Sequence, residues 1–229
     1  MCSITYWNNS HIHIKQTPFC YVSPYSLFFL HSYPSIMQKN SSICDYGAGT
    51  GILGIAALDY SPSKVVFIEK TNSFLDILHE NIHENISNNA LIDYYVLDNA
   101  YTLDTFDTIL CNPASLPDIC NPDEFCKGGK LGLDMIYEVI AFSNEHLQPK
   151  GSLYLIVTSI LPHSLIYSFL NKFDFCVKII SKKKIAFRPH YSGIREWVDT
   201  NKKTYPEMMY YEHNGTIYEE LNLWKIERN

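Results

Sequence analysis

Acidic residues close several apolar runs of this chain, and an Asn-Pro pair closes another. Ser42-Ile43-Cys44-Asp45-Tyr46 is a short apolar stretch ending in an acid, and Gly47, Gly49 and Gly51 follow at every second position. The run reads as a buried strand, and Ile52 to Leu58 after the glycines reads as the start of a helix. Strand, glycine turn and helix form the layout that cradles a nucleotide. Glycine takes positive φ there, and without Cβ it lets backbone N–H groups approach a ligand closely. Gly49-Thr50-Gly51-Ile52-Leu53-Gly54 also fits the dinucleotide fingerprint G-x-G-x-x-G. Asp45 argues against a pyrophosphate at that place, because a carboxylate repels phosphate and suits a ligand carrying positive charge. Glu69 closes the run Lys64-Val65-Val66-Phe67-Ile68-Glu69, where an acid accepts hydrogen bonds from a ribose diol or else caps the next helix. Asn112-Pro113 follows Phe106 to Cys111. The dipeptide is a turn signal in itself, and at the carboxyl end of a parallel strand it stands where open α/β sheets bind ligands.

The elements that must position these residues can be read from periodicity. Strands are expected at 42–46, 64–69, 93–98, 106–111, 153–157 and 175–180. The continuous apolar runs among them suit a parallel sheet buried on both faces. Phe74, Leu78, Ile82 and Ile86 recur every four residues as the core stripe of one helix, and Gly132, Ile136, Val139, Ile140, Ser143 and Leu147 fall on one face of another. Pro149-Lys150-Gly151 reads as a helix stop, Leu161 to Leu170 as a further helix, and Lys182-Lys183-Lys184 as a solvated strand end. Ser23-Pro24 reads as N-cap and first residue of a helix, and Asn214-Gly215 as a type I′ hairpin turn. His11 and His13 alternate and read as solvent-facing. Strands alternating with helices predict an α/β fold, and 229 residues suffice for one large domain.

Composition narrows the function. A net charge of −6 argues against a protein whose main work is gripping a nucleic-acid backbone. Seven cysteines without a C-x-x-C pair suit reduced thiols in the cytoplasm, and no metal is expected. No apolar run reaches the length of a membrane span, and no secretory leader is expected.

Asp45-Tyr46-Gly47-Ala48-Gly49-Thr50-Gly51 resembles motif I of the class I S-adenosylmethionine (SAM) methyltransferases, and Asn112-Pro113-Ala114-Ser115 resembles the Asn-Pro-Pro-aromatic motif of the N-methyltransferases. Val22 to Leu30 and Gly128-Gly129-Lys130-Leu131-Gly132-Leu133-Asp134 add to a similarity with the release-factor glutamine N5-methyltransferase group, covering roughly residues 18 to 160. The resemblance implies a Rossmann-like class I methyltransferase fold. Its sheet would be mostly parallel and seven-stranded, with helices on both faces and a C-terminal antiparallel hairpin. Residues 1–229 would form a single domain, with 1–40 as an aromatic-rich cap and 186–207 as a candidate substrate lid.

The resemblance also implies SAM as cofactor, held by Asp45, Gly47, Ala48, Gly49, Gly51, Glu69, Asp98, Asn99 and Asn112. In methyltransferases of this class Asp98-Asn99 would hold the adenine amino group, although Asp-Asn is also a good turn pair. Asn112 and Pro113 would be the catalytic pair. The Asn112 side-chain oxygen and a main-chain carbonyl accept the N–H bonds of an amine or amide, fix its lone pair and stabilise its growing positive charge. Tyr21, Tyr25, Ser115, Arg188 and Tyr191 are candidates for contact with the acceptor. That acceptor is a small molecule or a protein, and no nucleic acid or membrane partner is expected. The second proline of the motif is replaced by Ala114 and its aromatic by Ser115. The aromatic packs on the planar group being methylated, so its loss favours a smaller or differently shaped acceptor. Other readings are a SAM reaction without methyl transfer, such as SAM cyclisation, an RNA or adenine N-methyltransferase, an NAD-type oxidoreductase, and a non-catalytic partner subunit.

Overall fold

The computed structural model describes residues 2–5, 11–70, 72–85, 91–96, 105–120, 126–187 and 193–229. The chain divides into two compact units. One comprises Met1–Asn112 and Glu145–Tyr154, the other Pro113–Asn144 and Leu155–Asn229.

The first unit opens with β1 (Cys2–Thr5) and β2 (His11–Ile14), paired antiparallel as a separate two-stranded sheet. It continues through α1 (Pro24–Leu30), α2 (Tyr33–Ile36), β3 (Ser42–Tyr46), α3 (Ile52–Ala57), β4 (Lys64–Glu69), α4 (Asn72–Asn85), β5 (Leu91–Val96) and β6 (Phe106–Cys111), and it takes in the first part of β7 (Leu147–Thr158). The strand order is β5–β4–β3–β6–β7. The β3–β4, β3–β6 and β4–β5 pairs are parallel. Val65, Val66, Phe67 and Ile68 are all buried, as a central parallel strand requires. Phe74, Leu78 and Ile82 are the buried stripe of α4, and their fourth member, Ile86, lies outside the described residues. The β2 alternation is also borne out, with Ile12 and Ile14 buried and His11 and His13 exposed.

The second unit holds most of α5 (Asp134–His146), the end of β7, α6 (His163–Leu170), β8 (Phe175–Ala186), α7 (Ile194–Asn201), β9 (Tyr211–His213) and β10 (Thr216–Arg228). Its strand order is β7–β10–β8, with β9 on β10, and the β10 pairings with β8 and β9 are antiparallel. Among the described residues seven strands therefore follow one mixed path with β9 beside it, and the expected Rossmann-like fold with its C-terminal antiparallel strands is present. Asn214 and Gly215 both carry positive φ, as a type I′ turn demands.

Several boundaries differ from expectation. β7 begins at Leu147, directly after α5, and contains Pro149 near its start, where a missing N–H costs a strand little. Gly151 explains the continuity: a Cβ there would lie 2.8 Å from the Phe106 carbonyl oxygen, so only glycine permits this approach to β6. The Lys182–Lys184 run lies inside β8, paired with Asn222, Leu221 and Glu220 of β10, and does not follow the strand. The strand expected from Asp93 begins at Leu91, and its expected last residues, Leu97 and Asp98, lie outside the described residues. Among the described residues, no helix is long and apolar enough to cross a membrane.

Candidate active site

The glycine turn after β3 is fixed by its own backbone. Gly47, Gly49 and Gly51 all hold left-handed φ. Gly47 and Ala48 donate N–H bonds to the Ile68 carbonyl at 2.9 and 3.0 Å, and Gly51 donates to Ala48 at 2.8 Å. Gly49 donates to Glu69 Oε2 at 2.7 Å, and Gly54 to Asp45 Oδ2 at 2.8 Å. A pyrophosphate-binding turn aims such N–H groups at its anion. This one commits five of them to protein acceptors, which weighs against the dinucleotide alternative.

Asp45 is only 1% exposed, and it braces the first turn of α3 through Gly54. Burial pushes its carboxyl up to about 7, the Gly54 N–H draws it down, and the Glu69 charge adds a further upward push. Its observed bond is therefore to the turn and helix start it holds. Glu69 ends β4 beside the turn and is buried. A Cβ added at Gly49 would meet nothing within 4 Å, so the turn leaves open space next to the Glu69 carboxylate. The Cys20 thiol, pushed up to about 12 by burial and by Glu69, stays protonated nearby.

Asn112 follows the last residue of β6, two positions beyond Leu110, the strand partner of Asp45. Its Nδ2 donates to Ser26 Oγ at 3.0 Å and to Ser23 Oγ at 3.3 Å. Ser23 is the N-cap of α1 and accepts the Ser26 backbone N–H at 3.2 Å. The sequence marks Ser23 as a cap, but nothing in it links a cap to an asparagine 89 residues away.

The first unit thus gathers Asp45, Gly47, Ala48, Gly49, Gly51, Glu69 and Asn112 at the carboxyl ends of three adjacent strands, β4, β3 and β6. Tyr21 and Tyr25 are half-buried on either side of Ser23. Pro113 and Ser115 belong to the second unit and are buried. There the Ala114 N–H donates to Met135 Sδ at 3.2 Å, the Leu116 N–H donates to the Cys126 carbonyl at 2.9 Å, and the Gly128 N–H donates to the Leu116 carbonyl at 2.8 Å. Asp98, Asn99, Arg188 and Tyr191 lie outside the described residues.

Asn81 has no signal in the sequence. It is buried on α4, where its Nδ2 donates to the Thr50 carbonyl at 2.9 Å and to the Lys15 carbonyl at 3.1 Å, and its Oδ1 accepts the Lys15 N–H at 2.6 Å. One turn later, Asn85 accepts the His13 N–H at 2.8 Å and donates to the His13 carbonyl at 2.7 Å. Two amides of one helix therefore bind the backbone of β2 and the residue after it, and one of them reaches the glycine turn.

Residues 26–186 match the family described as Methyltransferase small domain, and the chain belongs to that family. It is similar to a protein of Methanocaldococcus jannaschii provisionally named a protein N5-glutamine methyltransferase, 25% identical over 65% of this chain and 78% of that one. It is also similar to the ribosomal RNA large subunit methyltransferase G of Klebsiella pneumoniae, 29% identical over 38% of this chain and only 23% of that protein. A solved structure from Pyrococcus horikoshii, provisionally named an RNA methyltransferase, shares the fold with a TM-score of 0.58, 15% identity and 93% of each chain covered. The chain is a SAM-dependent methyltransferase. Its residues fit that cofactor: a buried carboxylate stands beside an unfilled glycine position, and five N–H groups around the turn are already bonded within the protein.

Proposed function

We propose that the chain methylates an amine or amide nitrogen, on a protein glutamine or a small amine-bearing metabolite, with Asn112 and Pro113 orienting that nitrogen. One observation carries this reading: both protons of the Asn112 amide face seryl oxygens, so its carbonyl half is the half left to accept an N–H. Glu69 suits the ribose diol of SAM, with Gly47 to Gly51 shaping the space beside it. SAM supplies a methyl carbon already activated by its sulfonium. With SAM bound, the acceptor nitrogen's lone pair would take that carbon, the carbon–sulfur pair would stay with sulfur, and the nitrogen's proton would pass to water. Asn112 holds the nitrogen and stabilises its growing charge, so no strong base is required. The buried thiols Cys20, Cys44 and Cys111 suit a reducing, cytoplasmic setting.

RNA is the second acceptor class, favoured by two relatives named for RNA. The expectation against nucleic acid rests on net charge alone and finds no support among them. The deciding experiment incubates the enzyme with cell extract and methyl-labelled SAM, and locates the label by mass spectrometry. Label on protein or a small amine supports the proposal, and label confined to RNA replaces it. Asn112→Ala is expected to cut label transfer at least about a hundredfold, as loss of one key oriented contact does, with SAM affinity kept within about tenfold. Undiminished transfer removes Asn112 from the mechanism.

A further inference from the structure

We infer that Ser23 and Ser26 are positioning residues that decide which half of the Asn112 amide faces the acceptor; this deepens the role proposed for Asn112 and rests on it. An asparagine amide can turn over by 180°, which exchanges a hydrogen-bond acceptor for a donor in nearly the same volume. An N-methyltransferase needs the acceptor half toward the substrate, because the substrate nitrogen presents N–H bonds.

With the Nδ2 half toward the two hydroxyls, as the structure has it, the donors and acceptors match. Ser23 Oγ accepts the Ser26 backbone N–H at 3.2 Å and one Asn112 Nδ2 proton at 3.3 Å, which fills its two lone pairs. Its own proton must then go outward, and Ser26 Oγ stands 3.2 Å away to take it. Ser26 Oγ accepts that proton and the second Nδ2 proton, at 3.0 Å, which fills its lone pairs in turn. Each acceptor site of the pair is used once. Asn112 Oδ1 has no partner among the described residues. Ser26 is 5% exposed and Ser23 half-buried at the start of α1, so water competes poorly for the bond to Ser26. A helix start distant in sequence thereby sets the polarity of the residue at the end of β6.

The test uses the full chain with side-chain 15N-labelled asparagine. The Asn112 amide resonance is identified by its loss in Asn112→Ala. In the wild type its two protons are expected to be slow to exchange, and Ser26→Ala should remove that protection and shift the resonance. Ser23→Gly, which keeps the helix cap, should do the same to a smaller degree. In the labelled-SAM assay on cell extract, Ser26→Ala is expected to lower transfer about tenfold with SAM affinity within about twofold, and Ser26→Thr to restore most of it. In the Asn112→Ala background, Ser26→Ala should add no further loss, whereas a merely structural serine would add its own. An unshifted, still-protected Asn112 resonance in both serine variants overturns the inference. So does transfer within about twofold of wild type in Ser26→Ala and Ser23→Gly while Asn112→Ala abolishes it. Full transfer in Asn112→Ala would instead overturn the role of Asn112 itself, and the resonance would still report whether the serines hold its amide.

Discussion

Gly49 and Gly132 both hold left-handed backbone, with φ of 54° and 74°. A Cβ added to Gly49 would meet nothing within 4 Å, whereas one added to Gly132 would lie 2.3 Å from the Ser115 carbonyl oxygen. Each lies in a glycine-rich stretch that resembles a methyltransferase motif. In the turn after β3, the absent side chain leaves room for something outside the chain. In the turn before α5, Gly128 and Gly132 lie against the backbone of Ala114 and Ser115, and the absent side chain is filled by protein. The first glycine borders open space, which the proposed reading gives to the cofactor, and the second is a packing residue by its contact.

That contrast can be broken by substitution. Gly132→Ala should cost about 3 kcal/mol, because left-handed strain and a backbone clash add; a urea unfolding midpoint near wild type would erase the contrast. Asn81→Ala should come next, at about 2 kcal/mol, since it leaves backbone groups of Lys15 and Thr50 without their buried partner. Its thermal unfolding should show the loss, and SAM affinity should fall with it because Thr50 belongs to the turn. Gly49→Ala should cost only about 1 kcal/mol of stability from its backbone strain, yet weaken SAM binding at least tenfold, about 1.4 kcal/mol. Calorimetry showing unchanged affinity would mean that the open space is not the cofactor's.

The smallest effect concerns pH. Burial raises the Asp45 carboxyl to about 7 in the folded chain, so folding favours its protonated form. That contribution is full below the ordinary carboxyl range and is lost as pH rises through about 7. Between about pH 6 and 8 the wild type should lose about 1 kcal/mol relative to Asp45→Asn, whose amide oxygen can still accept the Gly54 N–H. Parallel stability profiles for the two proteins would place Asp45 outside this linkage.

Much of the scaffold was legible because its signals are local. Ser42–Tyr46, Lys64–Glu69 and Phe106–Cys111 are continuous apolar runs with clear ends, and the strands match them residue for residue. The start of β7 was hidden because Pro149 and Gly151 are read locally as a stop, while the space beside Phe106 that makes Gly151 a strand residue is set from 45 positions away. The same limit hid the bonds around the candidate site. Ser26 meets Asn112 across 86 residues and Asn81 meets Lys15 across 66, and neither partner carries a pattern pointing to the other. Asp45 was legible as the acid of a glycine-turn motif suited to a cationic ligand, but its burial and its bond to Gly54 were not.

The two asparagines of α4 carry a last implication. Side chains four apart on a helix are about 6 Å apart along its axis, and backbone groups two apart on a strand are separated by about 6.8 Å. Asn81 and Asn85 meet Lys15 and His13 because these two gauges nearly agree. One residue inserted between Asn81 and Asn85 would swing one amide about 100° around the helix and unhook the N-terminal strand. The same insertion beyond Asn85 would leave both grips intact. Changes of chain length therefore have safe and forbidden addresses in this protein, set by a ruler written in amide groups.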